Sequence, residues 1–210
     1  MAHRSAGSLN GSNELSNLNI AIPEHIVNAI NDLLVLAGYD LSDDNLKYTP
    51  ERFIRAVIGE FNNEADTTPK ELFKEFDSED YGGMIVVKNI SFRALCAHHL
   101  FPWFGHAHVG YISDNKKVVG LSKIARIVTY FTNAITLQER ATTEICDALW
   151  ENLKLKGCIV VLSATHTCML ARGVRQEEAV TVTSDVRGIF KDNKAGSKEE
   201  FFKLIEGHMR

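Results

Sequence analysis

The chain has 210 residues, 45% hydrophobic and 24% charged, with a formal net charge of −4; it is long enough to bury a core in one domain and lacks the global positive field that gathers nucleic acid. No run of about 18 apolar residues offers a membrane span, and the N-terminus lacks the apolar stretch of a secretion signal. Four cysteines, at 96, 146, 158 and 168, are too sparse for a disulfide scaffold and fit reduced thiols in a cytoplasmic protein.

Residues 1–18 are rich in Ser, Asn and Gly and are expected to form a flexible tail outside the fold. Residues 19–80 read as an N-terminal helical region and 81–210 as a second domain that holds the strands. After Pro23, the residues Ile26, Val27, Ile30, Leu33 and Leu34 mark one helical face, and Gly38 ends the run. Thr49-Pro50 opens a second helix, with Thr as N-cap, Pro at the first helical position, and Phe53, Val57, Ile58 and Phe61 as its apolar stripe. Thr68-Pro69 repeats the signal for a short helix carrying Leu72, Phe73 and Phe76, which Tyr81-Gly82-Gly83 breaks.

Met84 to Leu95 reads as a strand leading into Cys96, and Phe104 to Ile112 as its antiparallel partner. A helix opening at Ser122 follows, with Ile124, Ile127, Val128 and Phe131 facing inward. A longer helix spans about Gln138 to Leu155, with Ile145, Leu149 and Leu153 inward and Gly157 as its stop. Cys158 to Thr165 is a nearly unbroken apolar strand, and Ala179 to Ser184 alternates Val with Thr as a half-buried fourth strand. Ser197-x-x-Glu200 reads as a capping box opening a last helix with Phe201, Leu204 and Ile205. The predicted class is α+β: N-terminal helices, a four-stranded antiparallel sheet with two helices inserted between strands 2 and 3, and a C-terminal helix. Its open edges invite pairing with further copies.

Cys96 and His99 stand three apart on a tight turn, where a thiolate and an imidazole can share one metal ion. A lone Cys-x-x-His also describes a buried thiol beside a satisfied histidine. Cys168, at the end of a distant strand, supplies a third ligand, and strand alternation places His166 on its face. Three N/S ligands leave one tetrahedral vertex of Zn²⁺ open, as in catalytic sites. His98 and His166 lie beside these ligands and can move protons. Cys146 and Cys158 read as core thiols, and His106 and His108 as polar groups on one face of the second strand. His3, His25 and His208 carry no signal.

Lys123 and Arg126 project from one face of a helix near its N-terminus, and Arg52 and Arg55 repeat the spacing on the second helix. Arg172 follows Cys168 by four residues. Each is a solvated cation when taken alone; together they would form a polyphosphate clamp. Glu139, beside Gln138 at a helix start, either serves the helix dipole or accepts two hydrogen bonds from a guanine-like edge, and spacing is compatible with both.

From about Tyr48 onward the chain resembles the GTP cyclohydrolase I family. The matching segments are Thr49-Pro-Glu-Arg52, Cys96-Ala-His-His99, Gly120-Leu-Ser-Lys-Ile-Ala-Arg126-Ile-Val, Leu137-Gln-Glu-Arg140, His166-Thr-Cys168-Met and Ala171-Arg-Gly173, followed by Thr183-Ser184 through Gly188-Ile-Phe190. The resemblance implies the tunnelling fold, a homodecamer of two stacked pentamers, and sites at subunit boundaries. It implies Zn²⁺ held by Cys96, His99 and Cys168, with His98 and His166 as the proton-transfer pair. It also implies Gln138 and Glu139 at the guanine, Ser122 near the ribose, and Arg52, Arg55, Lys123, Arg126 and Arg172 on the triphosphate. The implied reaction opens GTP at C8, releasing formate and forming 7,8-dihydroneopterin triphosphate; the alternatives are a related hydrolase stopping at a formamido product, or an impaired nucleotide- or pterin-binding paralogue. One departure stands out, since the family usually has Glu where this chain has Ala97.

Overall fold

A computed structural model describes residues 21–61, 69–192 and 196–206. The expected tail, residues 1–18, lies outside the described residues, as do His3 and His208. The chain forms two compact units that divide between Asp66 and Thr67.

In the first unit, α1 spans Glu24–Leu36. Its end is set by Gly38, whose φ of 87° lets the Tyr39 N–H reach the Leu34 carbonyl at 3.0 Å and the Gly38 N–H reach that of Val35 at 2.9 Å. That pair of bonds is the Schellman stop, which strongly favours glycine. α2 spans Thr49–Arg55 and runs straight into a single π-turn, Ala56–Glu60. The cap is Tyr48 rather than Thr49, because the Tyr48 carbonyl accepts the Arg52 N–H at 3.1 Å. Pro50 and Ile54 are buried, and Val57, Ile58 and Phe61 of the expected stripe are half-buried, while Phe53 faces outward.

The second unit opens with a 3₁₀ turn, Pro69–Leu72, and then β1, Glu75–Asp77. The expected third helix is therefore not formed. Phe76 instead sits on an antiparallel ribbon opposite Val118 of β4, Lys117–Val119. The segment 69–77, read from sequence with the helical region, belongs to this unit.

The main sheet has the order β5-β2-β3-β6-β7. The four long strands are the expected ones: β2 Ile85–Cys96, β3 Pro102–Ser113, β6 Leu155–His166 and β7 Thr181–Gly188. All pair antiparallel. A short fifth strand, β5 (Ile135–Thr136), adds a parallel pairing to Leu95 and Cys96, an element too brief to show a sequence period. Two helices, α3 (Leu121–Thr132) and α4 (Gln138–Asn152), separate β3 from β6, as expected.

β6 is buried on both faces, which explains its unbroken apolar run. Cys158, Val160 and Leu162 pack in one cluster with Ile124 and Ile127 of α3 and Ile145 and Leu149 of α4. Ile159 and Val161 join Phe190 with Phe201 and Ile205 of α6, Ser197–Ile205. Several expected boundaries move, and β7 begins at Thr181 and runs on to Gly188 rather than spanning Ala179 to Ser184. α4 stops at Asn152, and Gly157 lies inside β6, where a side chain would meet the Arg187 carbonyl at 2.8 Å. The capping box is not formed, because Gly196 in the left-handed region caps α6 and the Ser197 hydroxyl donates instead to the Ile189 carbonyl.

Candidate active site

β2 ends by delivering Cys96 into a tight turn. The Leu100 N–H donates to the Cys96 carbonyl and the Cys96 N–H to the Phe101 carbonyl, both at 2.8 Å, while Leu100 takes the left-handed φ of 56°. Neighbouring β5 steadies the turn from outside through the Ala97 N–H, which donates to Thr136 at 3.2 Å. Cys96 is buried, and His98 and His99 are exposed beside it. The His98 Nδ1 stands 3.8 Å from the Cys96 sulfur.

Cys168 reaches this turn by a route different from the expected one. β6 stops at His166, and Cys168 lies on the short helix α5, Thr167–Leu170, so strand alternation does not relate the two residues. The Thr167 hydroxyl fastens α5 to the sheet by donating to the Pro102 carbonyl at 2.6 Å. The outcome is nevertheless a cluster in which the ligand atoms of Cys96, His99 and Cys168 lie within 4.8 Å of one another. Burial, and then the neighbouring Cys96, push the Cys168 thiol above its ordinary value. A divalent cation reverses that preference, because thiolates bind it and protons leave. Two sulfurs and one imidazole nitrogen at this spacing fit a zinc-type donor set with one vertex left for another ligand.

His166 sits against the floor of the site. Its ring stacks on Trp103, its register partner on β3, with centroids 5.1 Å apart and planes 3° from parallel. Its Nε2 lies 2.8 Å from the Gln138 Oε1. Burial pushes the imidazole below its ordinary value, opposed by the Glu139 carboxylate from the first turn of α4. Arg172, four residues past Cys168, acts electrostatically on that thiol. The second unit therefore brings together Cys96, His98, His99, Gln138, Glu139, His166, Cys168 and Arg172.

Ser122, Lys123 and Arg126 are not part of this gathering. They lie in the first half of α3, and that helix runs toward the cluster, its last turn leading into β5 beside Cys96. At ~1.5 Å per residue, Lys123 is about 14 Å up the helix from Thr132. The opposite end of the sheet agrees, since Val119, just before α3, donates to the Tyr111 hydroxyl at the far end of β3. Arg52 and Arg55 are exposed on α2 of the first unit. Sequence reading gave no individual role to Trp103, which stacks on His166, or to Thr142 and Thr183, which bond to each other, Thr183 also accepting from the Gln138 amide. The signal for Trp103 was its register opposite His166, visible only once β3 and β6 are paired.

A family model for GTP cyclohydrolase I matches residues 26–206. A Corynebacterium glutamicum protein named GTP cyclohydrolase 1 is 43% identical over 186 residues, covering 88% of this chain and 94% of that one. A Halalkalibacterium halodurans protein of the same name is 43% identical over 184 residues, covering 88% and 97%. Among solved structures, the apo form of an archaeosine synthase QueF-Like protein aligns with a TM-score of 0.43 at 10% identity, over 52% of this chain and 97% of that one. A match over nearly the whole described chain, with the Cys-His-Cys cluster assembled in space, leads to one statement: the chain belongs to the GTP cyclohydrolase I family.

Proposed function

We propose that the protein is a zinc-dependent GTP cyclohydrolase I, releasing C8 of GTP as formate and forming 7,8-dihydroneopterin triphosphate. The observation that carries this reading is the Cys96, His99 and Cys168 cluster, three ligands from two distant segments within 4.8 Å of one another. Zinc bound there supplies a Lewis acid that activates water at neutral pH. The chain's own residues do the rest. His166 and His98 flank the ligands and carry protons to and from the purine, a task suited to a group that titrates near neutrality. Glu139 accepts from the guanine edge. Arg172, Lys123 and Arg126, with Arg52 and Arg55, hold the triphosphate, and Ser122 the ribose; their effect is to position a ligand whose reacting carbon lies elsewhere.

Residues 81–210 form the catalytic domain in this reading. The open edges of β5 and β7 support assembly of tunnelling-fold subunits into a decamer of two pentamers. Four free thiols support a cytoplasmic location. Among the described residues, no helix is long and apolar enough to cross a membrane.

The test is incubation with GTP and zinc, followed by measurement of formate and of the fluorescence of the oxidised pterin. Both products are expected in equal amounts, and Cys168→Ala is expected to lose bound zinc and turnover together. Absence of product at every zinc loading, or full activity in Cys168→Ala, overturns the reading.

A further inference from the structure

Gln138 is 1% exposed, and its side chain is fully engaged within the protein. The amide nitrogen faces the Leu162 carbonyl at 3.1 Å, the Thr181 carbonyl at 3.0 Å and the Thr183 hydroxyl at 3.1 Å. Carbonyl oxygens only accept, so the amide cannot be turned over: its NH₂ must face them. The hydroxyls point the same way. Thr142 donates to the Gln138 carbonyl at 2.7 Å, so the 2.6 Å contact between Thr142 and Thr183 is donated by Thr183, which leaves the Thr183 oxygen to accept from Gln138. The Gln138 Oε1 therefore faces His166 Nε2 at 2.8 Å. An amide oxygen cannot donate, so that ring nitrogen must carry a proton. Stacking on Trp103 fixes the plane of the same ring.

We infer that Gln138 is a positioning residue that holds His166 in the Nε2–H tautomer, making Nδ1 the nitrogen that exchanges a proton with the purine, and that Gln138 is not itself a purine contact. When Nδ1 carries the second proton, that proton passes to a purine nitrogen and the ring returns to its neutral Nε2–H form. This rests on the proposed hydrolase reading.

Two measurements on the zinc-loaded protein decide it. The first is nitrogen NMR of histidine-labelled wild type, with the His166 signals assigned by their loss in His166→Ala. A neutral ring protonated at Nε2 is expected, and a neutral ring with its proton on Nδ1 and none on Nε2 overturns the inference whether or not any Gln138 variant folds. The second is kinetic. Gln138→Met is expected to lower kcat by ~10–100-fold, to leave GTP affinity within about 2-fold, and to add nothing to the loss already caused by His166→Ala. A weakened GTP affinity with unchanged kcat would make Gln138 a purine anchor, and a fully additive loss would make it merely structural; either result overturns the inference. Failure of wild type to turn over GTP sinks the hydrolase reading instead, while the NMR result still decides the tautomer.

Discussion

A methyl group stands at position 97, between the buried Cys96 and the exposed His98 and His99. Its backbone is well held, since the Ala97 N–H donates to Thr136, but its side chain offers nothing to either imidazole. A carboxylate beside metal-ligating histidines raises their basicity and orients their rings, and such partners are worth ~10–100-fold in activity or metal affinity. Ala97→Glu is therefore expected to raise kcat by roughly 10-fold or more at saturating zinc while leaving GTP affinity unchanged; an unaltered kcat would mean that another group already fills the role. The ligands themselves were readable because Cys-x-x-His brings its two donors together locally. Cys168 was readable by residue type but not by mechanism, since α5, not strand alternation, turns it toward Cys96. Gln138 was not readable in this way at all. Its four partners lie on β6 and β7, so its saturation exists only after the sheet has formed.

The four long strands and the helices between them were visible as periodicity, because burial repeats along each element. Element ends were less visible, because they depend on single bonds made elsewhere, such as the Ser197 hydroxyl drawn to Ile189 instead of its own helix. The fastening of β7 to α4 is of the same hidden kind. Arg187 donates Nε to Asp147 at 2.9 Å and forks onto both oxygens of Asp185 at 2.5 and 3.1 Å. Burial by itself would raise the Asp185 carboxyl, but bonds from Arg187, the Val186 N–H and Thr143 outweigh it and hold it below its ordinary 3.8. A lowered folded-state value means that the pairing's contribution is full above 3.8 and is lost as pH falls through the folded value. Asp185→Asn is expected to melt lower at neutral pH, by roughly 2–4 °C for each kcal/mol lost in a chain of this size. The gap from wild type is expected to hold down to pH 3.8 and to close below it. A gap that persists undiminished in acid would show that the charge pairing of Asp185 with Arg187 does not contribute to stability.

At the scale of the whole molecule, the positions of the cations matter most. Lys123 and Arg126 sit in the first half of α3, about 14 Å and about 9 Å along that helix from its last residue, Thr132, which leads to the turn beside Cys96. Meanwhile the sheet ends in two open edges, with Val182 of β7 exposed, and unpaired edges are templates for another copy. Sites completed across such a boundary would take the Cys-His-Cys cluster and Gln138 from one subunit and the α3 cations from its neighbour. Sequence spacing is blind to this, since residues meeting between copies have no separation along one chain. The consequence is testable by complementation. Cys168→Ala lacks a zinc ligand, and a variant carrying both Lys123→Ala and Arg126→Ala lacks the clamp, so each assembly alone is expected to be nearly inactive. Co-expressed in equal amounts, they are expected to form mixed assemblies in which, if sites span two copies, roughly a quarter draw the intact cluster from one subunit and intact cations from another. Formate release near that fraction of wild type would place the phosphate clamp on the neighbouring copy. If every site drew both parts from one chain, no mixture would contain a complete site, and activity would stay at the level of the parent variants.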